Sequence, residues 1–195
     1  MIRFFDVIFA LLGLIIFSWL FLIIVILVKL GSKGPVFYKQ IRIGKGGKSF
    51  KLLKFRSMYN DADKRGLMLT LSDRDPRITP AGLFIRRYKL DELPQLINVL
   101  IGDMSLVGPR PEVKKYVDLY TPEQRKILDI KPGITDMASI KFKNENEILS
   151  KQTNPEKYYI EYVMNEKIEL NQFYFKNPTP QNYFKILFLT IKNIF

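Results

Sequence analysis

Apolar and polar positions divide the chain into two regimes. From Val7 to Val28 no residue is charged, and the run reads VIFALLGLIIFSWLFLIIVILV. As a helix it reaches roughly 33 Å, against a bilayer hydrocarbon core of about 30 Å. It is too long for a cleaved signal peptide, and no small-residue cleavage site follows. Hydropathy alone does not separate a helix that spans from one that enters and turns back. Past residue 30 the pattern shortens. VFYKQIRI (Val36–Ile43) and SFKLLKFRS (Ser49–Ser57) are rich in β-formers and flank GKGGK, which predicts a β-hairpin. Helical signals follow at 59–64, 79–87, 92–100, 112–120 and 122–130. A long one runs over 155–175 and a last one over 180–195. In the last, Phe184, Leu187, Phe188, Ile191 and Phe195 share a face, with Lys185 and Lys192 elsewhere. Such a helix suits a membrane interface, and it equally suits docking on the domain's own core. The expected fold class is α+β, mainly helical, with a small sheet. Residues 1–30 form the membrane-inserted part and 31–195 the body.

Charge narrows the partners. The 195 residues carry 31 Lys plus Arg against 19 Asp plus Glu, a net +12. That balance suits nucleic acid, acidic lipid headgroups or a phosphorylated substrate. Only Arg3 precedes the apolar run, whereas Lys29, Lys33, Lys39, Arg42, Lys45, Lys48, Lys51, Lys54 and Arg56 follow it. The positive-inside rule places the body in the cytosol. The basic residues are mixed with apolar ones, and no nucleic-acid motif is present, so no nucleic-acid partner is expected. With no Cys and no His, disulfides, thiolate catalysis, His general bases and Cys or His metal sites are excluded. Chemistry must come from carboxylates, Lys, Arg, Tyr and hydroxyls. Any metal would be a hard cation on oxygen, with Mg²⁺ the leading candidate. GKGGKS (Gly44–Ser49) looks like a P-loop, but Arg42 stands where its first Gly belongs and a strand pattern follows.

The candidate chemistry lies in RRYKLDELPQL (Arg86–Leu96), which sets Asp91 and Glu92 beside Arg86, Arg87 and Lys89. Helix capping accounts for the stretch: Asp91 as N-cap, Glu92 in the first turn, Pro94 tolerated there. The neighbouring segments suggest more. GDMSLVGPRP (Gly102–Pro111) brackets Arg110 with two prolines, which fixes its backbone and presents its guanidinium for bidentate phosphate contact. Lys54, Arg56 and Arg86 could add positive charge. One carboxylate of such a pair can attack phosphorus while the other helps hold Mg²⁺ or positions a proton-bearing partner. The cations would then stabilise the transferring phosphoryl oxygens.

In order, GPVFYKQIRIGKGGKSFKLLKFRSM, DPRITPAGLFIRR, LDELPQLINVLIGDMSLVGPRP and KPGIT make the chain resemble the bacterial sugar transferases, or monotopic phosphoglycosyl transferases. The resemblance runs from the apolar segment to about Thr135, and the size matches the minimal form. It implies transfer of a sugar 1-phosphate from a UDP-sugar to polyprenol phosphate, usually undecaprenyl phosphate, with release of UMP and use of Mg²⁺. The family's nucleophile carries onto Asp91, which would form a covalent phosphosugar intermediate. Glu92 matches the second acid, assisting with metal and acceptor. Lys54, Arg86 and Arg110 match basic positions expected to bind phosphates. Asp103 also falls in a family motif, although capping or a structural salt bridge serves it equally well. The implied setting is the bacterial inner membrane with the catalytic domain on the cytosolic face. Membrane lipids would be partners, and a homodimer is left open. The resemblance favours a re-entrant apolar helix, with amphipathic helices lying in the interface.

Two features depart from the family pattern. Members often carry Ser-Pro midway along the apolar helix, whereas here Trp19 follows Ser18 and the usual breaker is missing. After PGIT many members continue Gly-Trp-Ala-Gln. This chain has Asp136, Met137, Ala138 and Ser139, which leaves the sugar and any contact of this loop open. Two other functions compete: a non-catalytic, membrane-tethered basic module, and a hydrolase that uses the same Asp with water as acceptor.

Overall fold

The structure is a computed structural model that describes residues 1–60, 62 and 75–194. The apolar segment forms not one helix but two, α1 (Ile2–Ile16) and α2 (Ser18–Gly31), bent by 62°. Among the described residues no single helix is long and apolar enough to cross a membrane. No proline makes the bend. Phe17 leaves the helical ladder with ψ near 9°, while its N–H still bonds Gly13 at 2.9 Å. The two arms then pack on different partners. Ala10 of α1 is buried with Val99 of α4 (Gln95–Ile101), and Gly13 lies so close to Leu96 that a Cβ would stand 3.1 Å from its Cδ1. Ile24 and Val28 of α2 are buried with Ile85 of α3 (Pro80–Arg87). Burial against two separate helices, worth about 1.5–3 kcal/mol per large side chain, holds the two arms in place.

Both ends of the apolar pair are tied to the body. Arg3 donates to the carbonyls of Val99 and Leu100 at the C-terminus of α4, the latter at 2.7 Å. Buried Asp6 accepts from Ser105 Oγ, the Leu106 N–H and Tyr183 OH at 2.9, 2.9 and 3.0 Å. At the far end, buried Arg56 donates to the carbonyls of Val28, Ser32 and Lys33 at 3.2, 2.7 and 2.9 Å. Val28 lies in the last turn of α2, and Ser32 and Lys33 follow its end, so one guanidinium holds the exit of the helix.

The expected hairpin is present: β1 (Phe37–Ile43) pairs antiparallel with β2 (Ser49–Phe55), Tyr38 opposite Lys54. Gly46 and Gly47 supply the positive φ its turn requires. Of the helical signal at 59–64, residues 61, 63 and 64 lie outside the described residues. The signals at 79–87 and 155–175 match α3 and a nearly continuous helix, α9 (Pro155–Tyr158), a π turn (Tyr159–Val163) and α10 (Met164–Phe175). Those at 112–120 and 122–130 shorten to α5 (Lys114–Val117) and α6 (Pro122–Arg125), the latter followed by a 3₁₀ turn.

Sequence reading missed four elements: β3 (Ser105–Val107), β4 (Gly133–Thr135), α7 (Met137–Lys141) and α8 (Glu145–Ser150). β3 and β4 pair in parallel, with Ser105 opposite Gly133 and Val107 opposite Thr135. A Cβ on Gly133 would stand 2.1 Å from Gly108 N, so only glycine lets the two segments meet. α11 (Pro180–Ile194) docks through Tyr183 and Ile186, both fully buried. Of the expected stripe, Phe184, Phe188 and Ile191 stay exposed while Leu187 packs on the cluster around Tyr183, and Phe184 packs edge-on against Phe5 and Phe9 of α1. Phe195 lies outside the described residues.

Candidate active site

Asp91 and Glu92 sit on a 3₁₀ turn, Leu90–Glu92, between α3 and α4. Thr79 starts α3 by accepting from the Gly82 N–H at 2.9 Å. Lys89 ends it in the left-handed region at φ 54°, a conformation that gathers at functional sites. The N-cap role expected of Asp91 does not hold. α4 begins at Gln95 with Pro94 as N-cap, because Pro94 has no N–H and the preceding turn closes i to i+3 instead. The helix N-terminus therefore lies a turn beyond the carboxylate.

Asp91 is 6% exposed, and among the described residues no side-chain hydrogen bond reaches its carboxylate. Burial pushes its pKa above the ordinary carboxylate range against the pull of Lys54, and Glu92 adds to the rise. Glu92 is in the opposite state. Its Oε1 accepts from Lys54 Nζ at 3.4 Å and forms a close ion pair with Arg110 Nη2. Burial alone would raise it, but the charges of Arg110 and Lys54 outweigh burial and hold its pKa at about 2. Desolvation lowers Lys54, with Glu92 opposing, while Glu92 raises Arg110.

Three sequence-predicted residues, Lys54, Glu92 and Arg110, thus make one charged cluster beside Asp91. Arg86, in the last turn of α3, forms no contact ion pair among the described residues and acts on Asp91 at longer range. Asp103 lies past the C-terminal end of α4, where its N–H bonds the Asn98 carbonyl at 3.0 Å, and it stands outside the cluster.

Residue by residue, other side chains place the cluster. Asn98 accepts from the Leu53 N–H at 2.9 Å and donates to the Lys51 carbonyl at 2.8 Å. It thereby stands in for a strand partner on β2 and fixes Lys54. Asp136 accepts from the Arg110 N–H. Asn98 was not singled out from sequence, and Asp136 only within the stretch after PGIT whose contacts were left open. The available signals were a polar Asn inside the apolar QLINVL, and an Asp placed to cap a helix ahead of MAS.

A bacterial sugar transferase family model matches residues 1–195. The chain belongs to the bacterial sugar transferase family. This sugar transferase is 41% identical over 175 residues to an uncharacterized sugar transferase of Bacillus subtilis, EpsL, covering 90% of this chain and 76% of the relative. It is 50% identical over 121 residues to a second B. subtilis protein, named a putative undecaprenyl-phosphate N-acetylgalactosaminyl 1-phosphate transferase, covering 62% and 67%. It is 42% identical over 140 residues to an Aeromonas hydrophila protein named UDP-N-acetylgalactosamine-undecaprenyl-phosphate N-acetylgalactosaminephosphotransferase. That match covers 69% of the sugar transferase but 32% of the relative, which is far longer.

Proposed function

We propose that this sugar transferase moves a sugar 1-phosphate from a UDP-sugar to undecaprenyl phosphate, in the membrane step of exopolysaccharide assembly. The relatives' names support donor and acceptor. The observation that carries the mechanism is a buried carboxylate that accepts no side-chain hydrogen bond among the described residues, Asp91, next to a carboxylate that holds two cations, Glu92. In the first step an Asp91 oxygen attacks the phosphorus that bears the sugar. The bond from that phosphorus to the oxygen bridging the two phosphates breaks, and UMP leaves with the electron pair. In the second step an oxygen of undecaprenyl phosphate attacks the same phosphorus. The aspartyl–phosphorus bond breaks, the Asp91 carboxylate is restored, and the product is a lipid diphosphate sugar. The intermediate lets a soluble donor and a lipid acceptor use one site in turn.

Glu92 pre-organises the cations. Arg110 spends one N–H on Glu92 and another on the Ile134 carbonyl at 3.3 Å, which leaves three of its five donors for phosphate oxygens. Lys54 and, at longer range, Arg86 add charge where phosphoryl oxygens gather it. Asp91 and Glu92 would offer carboxylate oxygens to Mg²⁺, with substrate phosphates supplying others. Bound there, Mg²⁺ would neutralise diphosphate charge.

The membrane setting follows from apolar surface. Leu12, Ile16, Trp19, Leu22 and Ile26 of α1 and α2 are exposed, as are Leu83 and Phe84 of α3 and Phe188 of α11. We read α1 and α2 as a re-entrant pair because both ends bind one body, and the basic residues after the pair favour the cytosolic face. Purified protein given Mg²⁺, undecaprenyl phosphate and a panel of UDP-sugars should release UMP and form lipid-linked sugar. No UMP across the panel would overturn the transferase reading. Free sugar phosphate formed without lipid would establish the hydrolase instead.

A further inference from the structure

We propose that Asp136 is a positioning residue for Arg110. This rests on the reading of Arg110 as a ligand of the donor phosphates. The tripeptide Pro109–Arg110–Pro111 has a single backbone donor, the Arg110 N–H, because neither proline has one. That N–H goes to Asp136 Oδ2 at 3.0 Å. Asp136 is 1% exposed, and its carboxylate accepts twice more: Oδ2 from Asn171 Nδ2 of α10 at 2.7 Å, and Oδ1 from the Ser139 N–H of α7 at 2.6 Å. Asn171 is itself buried, and among the described residues the oxygen of its amide has no partner, so the amide is engaged there through its donor end.

Arg110 is thereby gripped at both ends by one short segment. Its backbone bonds Asp136, and its guanidinium bonds the carbonyl of Ile134, two residues earlier in β4. Rotation or recoil of the loop would carry the guanidinium away from Glu92 and from a donor phosphate. A shift of about 1 Å in a positioning contact can cost two orders of magnitude in rate. A carboxylate is what the site requires, since three N–H donors converge and an amide in its place turns an NH₂ toward one of them.

The test is a double-mutant cycle read in donor kinetics and thermal melting. Asp136→Asn should lower kcat/KM for the UDP-sugar roughly tenfold, chiefly through a raised KM. In an Arg110→Ala background the same change should cost no further activity, while any melting-temperature loss persists. Losses that multiply would overturn positioning and leave Arg110's phosphate role intact. An Arg110→Ala enzyme with unchanged kinetics would overturn both. Should Asp136→Asn not fold, Asn171→Ala decides through the same cycle: a smaller loss that vanishes with Arg110→Ala supports the proposal, and one that persists overturns it.

Discussion

Arg110 closes on Glu92, while the carboxylate of Asp91, the adjacent residue, receives no side-chain hydrogen bond among the described residues. One carboxylate is neutralised by partners, and its neighbour keeps its oxygens available. Buried charge without partners is costly, so Asp91 is held against stability, as reactive groups commonly are. Asp91→Asn should abolish lipid-linked product, by roughly a thousandfold or more, with a melting temperature at pH 7 equal to or above wild type. Glu92→Gln should lower stability by about 1–2 kcal/mol, modest because Arg110 is partly exposed and its pair partly screened. Melting curves and product assays on the two variants check both directions. Substantial turnover by Asp91→Asn would remove it from the nucleophile role.

On the proposed mechanism the raised pKa of Asp91 sets the acid limb of activity. Only the ionised carboxylate attacks, so kcat/KM should rise with pH through a value above the ordinary 3.8. Lys54 favours the charged form and Glu92 disfavours it. Lys54→Met should therefore move the limb to higher pH, and Glu92→Gln to lower pH. The position of the limb in the pH profile reads this apart from any loss of overall rate. Limbs that coincide in all three proteins would show that another group titrates.

Glu92 predicts acid sensitivity of the fold. Its folded pKa, about 2, lies below the ordinary 4.5, so over that interval the unfolded chain binds more protons. The stability it contributes is complete above pH 4.5 and is lost as pH falls towards 2. Asp91 has the opposite sign, since its raised pKa favours the protonated folded state. The cleanest measurement therefore compares Asp91→Asn with Asp91→Asn/Glu92→Gln. The melting temperature of the first should fall more steeply between pH 4.5 and 2.

Much of this was legible where local rules and tertiary packing agree. The hairpin followed from β-formers flanking a glycine turn, and α3 from Thr79–Pro80 ahead of an amphipathic run. Lys54, Glu92 and Arg110 were all identified beforehand and converge. Elements that form only through long-range contacts were not legible. β3 and β4 are too short to show a period, and their pairing depends on Gly108 meeting Gly133 across the fold. Asp91 fits a capping pattern, and nothing local reveals that Pro94 takes the cap and leaves the acid unpartnered. The bend at Phe17 has no breaker in its own sequence, because it is imposed by α3 and α4.

That bend gives the prediction about topology. Arg3 and Asp6 fasten the start of the apolar pair to α4, β3 and α11, while Arg56 fastens its end. A chain crossing the bilayer once could not return both termini to one body. Since the protein has no Cys, single cysteines at Met1 and Ser32 can be labelled without background. Both should react with an impermeant reagent only from the cytosolic side, and labelling from opposite sides would refute the re-entrant path. Arg56→Ala should cost about 2 kcal/mol, because it takes the donor from the carbonyls of Val28 and Ser32, while that of Lys33 keeps the Asn60 amide. The same change should loosen the exit of α2, so the cysteine at Ser32 should react faster in Arg56→Ala than in wild type, while the one at Met1 keeps its rate. Equal acceleration at both sites would mean general unfolding and would deny Arg56 its role as the clasp on that end.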